Sequence, residues 1–492
     1  MALLSIPTLA LIALGLIAAR LIISGVRSPL SHVPGPWYSR FTHRVLWAQT
    51  IAGRRIHYVD YLHRLYGPVV RIAPDEVDVS DVDAFAKIHR TGAGYLKGPW
   101  YDGIIPGREP GIFVMRDPRQ HAARRRLFAQ AFSNSALQRN WESEIRSKAE
   151  KAVSRIKVDA VAGDADVLKW WTLMATDVIA HLSFGESFGM LDLGKQTPYI
   201  DAVQSALLVG VLRNELPLVY SIARWLPFRS IQSLVTADDV VYQYGGKAVQ
   251  NMRAQSANHQ NLFGQMVAEG DSQEKTTVTD DMIRSEAGNL IVAGSDTTAV
   301  TLTYLVWAVL KDPELHAQLA EEVAKLSPAL ESEELQNAPL LNSVIHETLR
   351  LYGAAPGSLP RVVPGDGADL GGHFLPGGTV VSTQAFTLHR DPDIFPDPLR
   401  FDGYRFFNKA AMSPTQKIAF SPFGAGSRIC LGIHLAWMEL RIATALFFRE
   451  CRGAIISPSM TDAMMELDNR FLISPKGHSC KITLRDPPCT AS

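Results

Sequence analysis

The sequence predicts a mainly α-helical protein with small β-sheets, preceded by one N-terminal transmembrane helix. Three observations carry that expectation. Apolar residues recur at helical spacing along most of the chain. Glycine and proline thin out between about residues 118 and 352, then return in force after Gly353. An uncharged apolar run opens the chain and reaches Ala19. A length of 492 residues would suggest about three domains. No linker rich in proline, glycine or serine divides the body, however, so the expected division is 1–27 as an anchor, 28–40 as a Pro/Gly hinge and 41–492 as a single domain.

Composition narrows the function classes. Hydrophobic residues at 47% and charged residues at 20% exclude a disordered or fibrous chain. Lys+Arg and Asp+Glu both number 49, a balance that argues against a dedicated nucleic-acid binder. Cys430, Cys451, Cys480 and Cys489 are too few and too scattered for a disulfide framework, and no CxxC pair suggests zinc.

The elements follow in order. Residues 3–26 are long enough to cross a bilayer core if Arg20 snorkels. A cleaved signal peptide would place basic residues before the apolar run, whereas Arg20, Arg27, Arg40 and Arg44 come after it. By the positive-inside rule, the rest of the chain then stays cytosolic. Val33-Pro34-Gly35-Pro36-Trp37 ends any helix in a stiff, extended connection, which either orients the body against the membrane or is an ordinary domain entry. A helix near 58–66 stops at Gly67-Pro68, and strands at 69–72 and 77–79 bracket Pro74-Asp75. Helices are expected at about 118–133, 135–160, 167–184, 196–212, 230–269, 280–311, 313–326, 340–352 and 431–451, with β-like pieces at 470–472 and 481–484. The helix after Thr279, a good N-cap followed by Asp280 and Asp281, would run about 45 Å and cross the whole domain.

Four motifs carry chemistry. In Phe423-Gly424-Ala425-Gly426-Ser427-Arg428-Ile429-Cys430-Leu431-Gly432, two glycines allow close backbone turns and a cysteine immediately precedes a helix. A thiol at a helix N-terminus has its thiolate stabilised, and a thiolate is an axial ligand of haem iron. His346-Glu347-Thr348-Leu349-Arg350 opens like the zinc-protease pattern, but arginine cannot take the second histidine's place. Glu347 and Arg350 lie one turn apart and can pair. Ala293-Gly294-Ser295-Asp296-Thr297-Thr298 sets two tiny residues beside a hydroxyl, opening room for a flat cofactor, while an Asp–Thr pair can relay protons. A packing notch with a threonine bonded back to its own turn is the rival reading. Finally, Asp117-Pro118-Arg119-Gln120-His121-Ala122-Ala123-Arg124-Arg125-Arg126 opens a basic helix. His389-Arg390-Asp391 imitates a kinase catalytic loop without its companions, and His434, one turn after Cys430, reads as a packing or cofactor-side residue rather than a ligand.

Taken together, these motifs resemble cytochromes P450 of the microsomal type over about residues 33–488, in the family's order. The Pro-Gly-Pro-Trp entry and the His121-x-x-x-Arg125-Arg126 spacing are similar to fungal secondary-metabolism enzymes. The resemblance implies the P450 fold, one haem b (iron-protoporphyrin IX) and Cys430 as its axial ligand. It implies proton delivery by Asp296 and Thr297, and propionate partners at His121 (where the family has tryptophan), Arg125, Arg361 and Arg428. Glu347, Arg350 and Arg405 become a buried structural triad, with Gly403 where the family often has proline. Arg124 and Arg126 are left for a basic face that docks an acidic redox partner.

The implied reaction inserts one atom of O₂ into an apolar small molecule such as a terpenoid, polyketide or alkaloid. Electrons come from NADPH-cytochrome P450 reductase, with cytochrome b5 as a further partner, at the endoplasmic reticulum membrane in a single-pass arrangement facing the cytosol. Substrate contacts are expected from 95–115, about 200–220, the face near Leu290, 355–359 and 470–472, among them Phe113, Leu207, Leu208 and Val211. An O₂-independent isomerase or dehydratase is disfavoured by the intact Asp296–Thr297 pair. A non-catalytic haem-binding membrane protein is the other alternative.

Overall fold

The computed structural model describes residues 6–104, 109–254, 261–272 and 278–484. Helix α1 (Ile6–Val26) opens the chain. The Pro-Gly-Pro segment after it is docked rather than free: Pro34 O accepts the Arg71 N–H at 2.8 Å, and Leu30 and Val33 are buried. Strands β1 (Val69–Ala73) and β2 (Glu76–Val79) form the hairpin expected around Pro74. They continue into a five-stranded sheet ordered β1-β2-β5-β4-β3, completed by β3 (Leu96–Lys97), β4 (Arg361–Val362) and β5 (Val380–Ser382).

The helical body comprises α2 (Pro118–Ala129), α3 (Asn134–Ala162), α4 (Val167–Phe184), α5 (Pro198–Glu215), α6 (Ala237–Ala254), α7 (Asp280–Leu310), α8 (Pro339–Tyr352) and α9 (Ile433–Glu450). Helix α7 packs along α4 and touches α6, α8 and α9, so it is the axis of the body. Thr279 caps it as expected, its hydroxyl accepting the Met282 N–H at 3.2 Å. It is apolar enough to cross a membrane, yet two-thirds of its most apolar window is buried inside the protein.

Two expected elements differ. The helix expected over 230–269 is instead Arg229–Val235, α6 and Leu262–Ser272; the first break falls at Thr236, whose hydroxyl bonds back to Gln232 O at 2.7 Å, and 255–260 lie outside the described residues. Residues 470–472 are not a strand but the turn between β6 (Leu467–Asn469) and β7 (Ile473–Pro475).

On α8 lies the pair that the spacing suggested, joined by Arg405, the third member that the resemblance implied. Glu347 and Arg350 are fully buried; Arg350 Nε and Nη2 donate to the Glu347 carboxylate at 2.8 and 2.7 Å, and Arg405 Nε donates to both its oxygens at 3.1 Å. The Asp402 N–H adds a fourth donor at 3.0 Å, and Arg350 Nη1 reaches His389 O and Pro398 O. Gly403 sits against Leu315, where a Cβ would lie 2.6 Å from a Leu315 methyl. His389 extends the network: its Nδ1 donates to Arg350 O at 2.9 Å, and its Nε2 accepts the Ser421 N–H at 3.0 Å, just before the cysteine loop. Burial holds its pKa down to about 3, which keeps it in this neutral tautomer.

A buried carboxylate shared by two guanidinium groups leaves two uncompensated charges when removed. Glu347→Ala is therefore expected to lower stability by about 3–5 kcal/mol, read from urea unfolding monitored by circular dichroism.

Candidate active site

The motifs converge on one cavity of about 1170 Å³, walled by α7 on one side and the loop 422–432 on the other. The loop shape depends on Gly424 and Gly426, both left-handed at φ +73° and +64°; a Cβ on Gly426 would collide with His89 O. The Cys430 N–H donates to Phe423 O at 2.9 Å, which folds the loop back before α9 begins. Cys430 lies deep in the body and is exposed only to the cavity that it lines. Burial pushes its thiol pKa up, while a backbone N–H from Gly432 and the charge of Arg125 pull it down. Coordination to a metal removes that proton outright. His434 is exposed on α9, so it is neither a packing residue nor a cavity residue.

On the opposite wall, Ala293, Asp296 and Thr297 line the cavity. Thr297 Oγ1 donates to Ala293 O at 2.7 Å, so the hydroxyl is bonded back to its own turn and still borders the cavity. Gly294 lines the cavity too, and it has a second role: a Cβ there would lie 2.7 Å from Ile179 Cγ1, so this glycine also lets α7 approach α4. Next to Thr297, the buried Thr298 donates to Glu439 Oε2 at 2.8 Å. Burial lifts Glu439 to about 8, which keeps its carboxyl protonated at neutral pH, and Oε1 has no partner. The sequence reading missed Glu439; its place nine residues after Cys430 on α9 was the available signal.

His121, Arg125 and Arg428 line one edge of the cavity, and Arg361 lies close behind them, near enough to act on His121. Arg125 Nη1 donates to Ile429 O at 2.7 Å, and Arg428 donates to Met115 O and Arg116 O at 2.7 and 3.2 Å. Burial and the surrounding cations Arg428, Lys97, Arg125 and Arg361 hold His121 down to about 3. Lys97, which the sequence reading passed over, is a fifth member. It is buried, it donates to Phe113 O, and its ammonium stands 4.0 and 4.3 Å over the Tyr101 and Phe113 rings. Burial, then Arg361 and Arg428, depress its pKa. None of the five is ion-paired with a carboxylate among the described residues, and Arg361 Nε is buried without a partner. A lone lysine on a two-residue strand carries no sequence signal; only strand pairing of Lys97 with Arg361 exposes its role.

Arg124 corrects one expectation. It does not lie on a docking face: it is buried and paired with Glu286 and Glu109, whereas Arg126 is exposed. Of the expected substrate contacts, Trp100, Ile104, Ile112, Phe113 and Val114, then Val203 and Ala206, Leu290, Ala355 and Leu359, and Arg470, Phe471 and Leu472 all line the cavity. The side chains of Leu207, Leu208 and Val211 lie outside the described residues.

A deep thiol facing an acid–hydroxyl pair, with unbalanced cations along one edge, defines a site for a flat, anionic cofactor that carries its own metal. The profile of the family described as Cytochrome P450 matches residues 34–482. The cytochrome P450 monooxygenase stcB of Emericella nidulans is 41% identical over 465 residues, covering 93% of this chain and 89% of that one. The monooxygenase aflV of Aspergillus parasiticus is 41% identical over 466 residues, covering 93% and 92%. The methylphloroacetophenone oxidase of Cladonia uncialis is 34% identical over 384 residues, covering 75% and 84%. The chain belongs to the cytochrome P450 family and is a monooxygenase whose cofactor is haem b. The residues fit that cofactor: the unbalanced cations and the orphaned Arg361 Nε suit two propionates, and the loop thiol suits the iron.

Two outcomes follow from this geometry. Gly294→Ala should force α4 and α7 apart and cost about 1–3 kcal/mol in thermal or urea unfolding. Lys97→Met, which keeps the stem and removes a charged hydrogen bond, should speed haem transfer to apomyoglobin about tenfold.

Proposed function

We propose that this monooxygenase is a membrane-anchored enzyme that oxidises an apolar small molecule in fungal secondary metabolism, by hydroxylation, epoxidation or a related step. Its electrons come from NADPH through cytochrome P450 reductase, with cytochrome b5 as an auxiliary donor. The observation that carries the reading is the placement of Cys430 across one cavity from Asp296 and Thr297. When bound, the haem supplies reductive activation of O₂ at an iron centre held by a thiolate.

The chain's own residues do the rest. Cys430 would supply the thiolate that holds the iron, and the left-handed Gly424 and Gly426 shape the loop that carries it. Thr297 has its proton committed to Ala293 O, so its oxygen turns lone pairs toward the cavity and can hold a proton donor there. Asp296, beside it, is the group through which a proton enters from outside. Arg125, Arg428 and His121, with Lys97 on the cavity wall and Arg361 beside them, would hold the propionates. Glu347, Arg350 and Arg405 brace the cysteine loop through His389 and Ser421.

The substrate wall is apolar and aromatic. Trp100, Phe113 and Phe471 stand within 6 Å of one another in sequence of contact, with Trp100–Phe471 centroids at 5.8 Å and Phe113–Phe471 at 5.7 Å. Such rings suit a flat, aromatic substrate of polyketide type, and the oxidase of Cladonia uncialis is named for an acylated phenol. Anchoring is supported by α1, whose 21 residues span about 32 Å and expose Leu16, Ile22, Ile23 and Val26. Leu218, Val219, Ile222, Trp225 and Phe228 make a second exposed apolar stretch suited to the same bilayer, that of the endoplasmic reticulum.

The deciding measurement is the carbon monoxide difference spectrum of the reduced protein in membranes. A strongly red-shifted Soret band in the wild type, absent in Cys430→Ala, is the expected result. Well-folded wild-type protein without that band would overturn the reading.

A further inference from the structure

The segment 109–115 forms part of the cavity roof through Ile112, Phe113 and Val114. It has little regular structure of its own; Val114 and Met115 N–H both close onto Gly111 O. Its position comes from outside. At its near end, Glu286 on α7 is fully buried and accepts the Ile112 N–H at 2.9 Å. The same carboxylate pairs with Arg124 on α2 at 2.6 Å, and Arg124 pairs with Glu109 at 2.8 Å. Ser285 Oγ donates to Glu109 O at 2.8 Å, and Gly111 lies against the Asn289 side-chain amide, which a Cβ there would displace. At its far end, Lys97 and Arg428 donate to Phe113 O and Met115 O.

Burial of Glu286 pushes its carboxyl up while Arg124 pulls it down. A buried ion pair of this kind contributes little net stability against apolar side chains of the same volume. What it contributes is direction: a carboxylate on a rigid helix places one backbone N–H at the near end of a loop with little regular structure of its own.

We propose that Glu286, held by Arg124, is a positioning residue for substrate: it fixes the 109–115 roof, and thereby sets how large an apolar ligand the cavity accepts and in which orientation. The inference rests on the monooxygenase reading above and assigns to that site a determinant of substrate selection. A ligand no larger than imidazole does not reach Ile112 or Phe113. A bulky aromatic ligand packs against them and must first order a roof that has lost its tether, so it alone is penalised.

The test compares wild type with the double variant Arg124→Met/Glu286→Met, which replaces the charges by apolar stems of similar volume, and with Glu109→Gln at the half-exposed rim. Imidazole and bifonazole, a small and a bulky nitrogen ligand for haem iron, are titrated by their Soret shifts. Amide hydrogen exchange at Ile112 is measured alongside. The expected result for the double variant is bifonazole affinity weakened about tenfold, imidazole affinity within about twofold, and faster exchange at Ile112. Glu109→Gln should show the same pattern at about threefold, and it carries the test if the double variant fails to load haem. Equal changes for both ligands, or unchanged exchange at Ile112, would overturn the proposal. A wild type without the thiolate–carbon monoxide spectrum would fail the preceding reading instead, and exchange at Ile112 would still decide whether Glu286 holds the roof.

Discussion

Unbalanced positive charge along one edge of a large apolar cavity is the constraint on which the rest of the structure depends. Lys97, Arg125, Arg361 and Arg428, gathered around the neutral His121, are drawn from β3, α2, β4 and the cysteine loop, and no carboxylate among the described residues pairs with them. Desolvated cations repel, and the fold tolerates them by giving Arg125, Arg428 and Lys97 backbone carbonyls to hold. Those same carbonyls belong to Ile429, Met115 and Phe113, so the cluster ties the cysteine loop to the cavity roof. One set of charges thereby orients both faces of the site.

The opposite strategy governs the proximal side. There Glu347 is matched by Arg350 and Arg405, and the guanidinium of Arg350 reaches on to the carbonyls of His389 and Pro398. His389, which only imitates a kinase motif in sequence, is the joint between this network and Ser421. The cysteine loop is thus held through a buried carboxylate whose oxygens are satisfied by two guanidinium groups and a backbone N–H, whereas the cations at the cavity edge have no carboxylate partner among the described residues. The contrast separates what must be rigid before the cofactor arrives from what the cofactor completes.

Legibility followed the length scale of each signal. Cys430, Asp296, Thr297, and Glu347 with Arg350 were readable because the chemistry sits within one loop or one helical turn. Arg405 was readable because a second short motif carried it. Arg124 was misread because the face that a charged helix buries is decided by its neighbours, here Glu286 on α7 and Glu109 in the loop. Lys97 was invisible for the same reason: its partners are 16 to more than 260 residues away. Gly294 was read as space on the cavity side, where it does lie, but its close contact with Ile179 on α4 left no mark in the sequence. The break at Thr236 was hidden because apolar periodicity continues through it, whereas the threonine's bond back to its own turn is local and weak.

The charge cluster also bears on how the cell keeps this enzyme. A ligand that binds only the folded chain stabilises it by mass action, and here that ligand removes a repulsion built into the fold. On the proposed reading, loading haem would relieve that repulsion, so the loaded chain should resist unfolding and proteolysis better than the unloaded one.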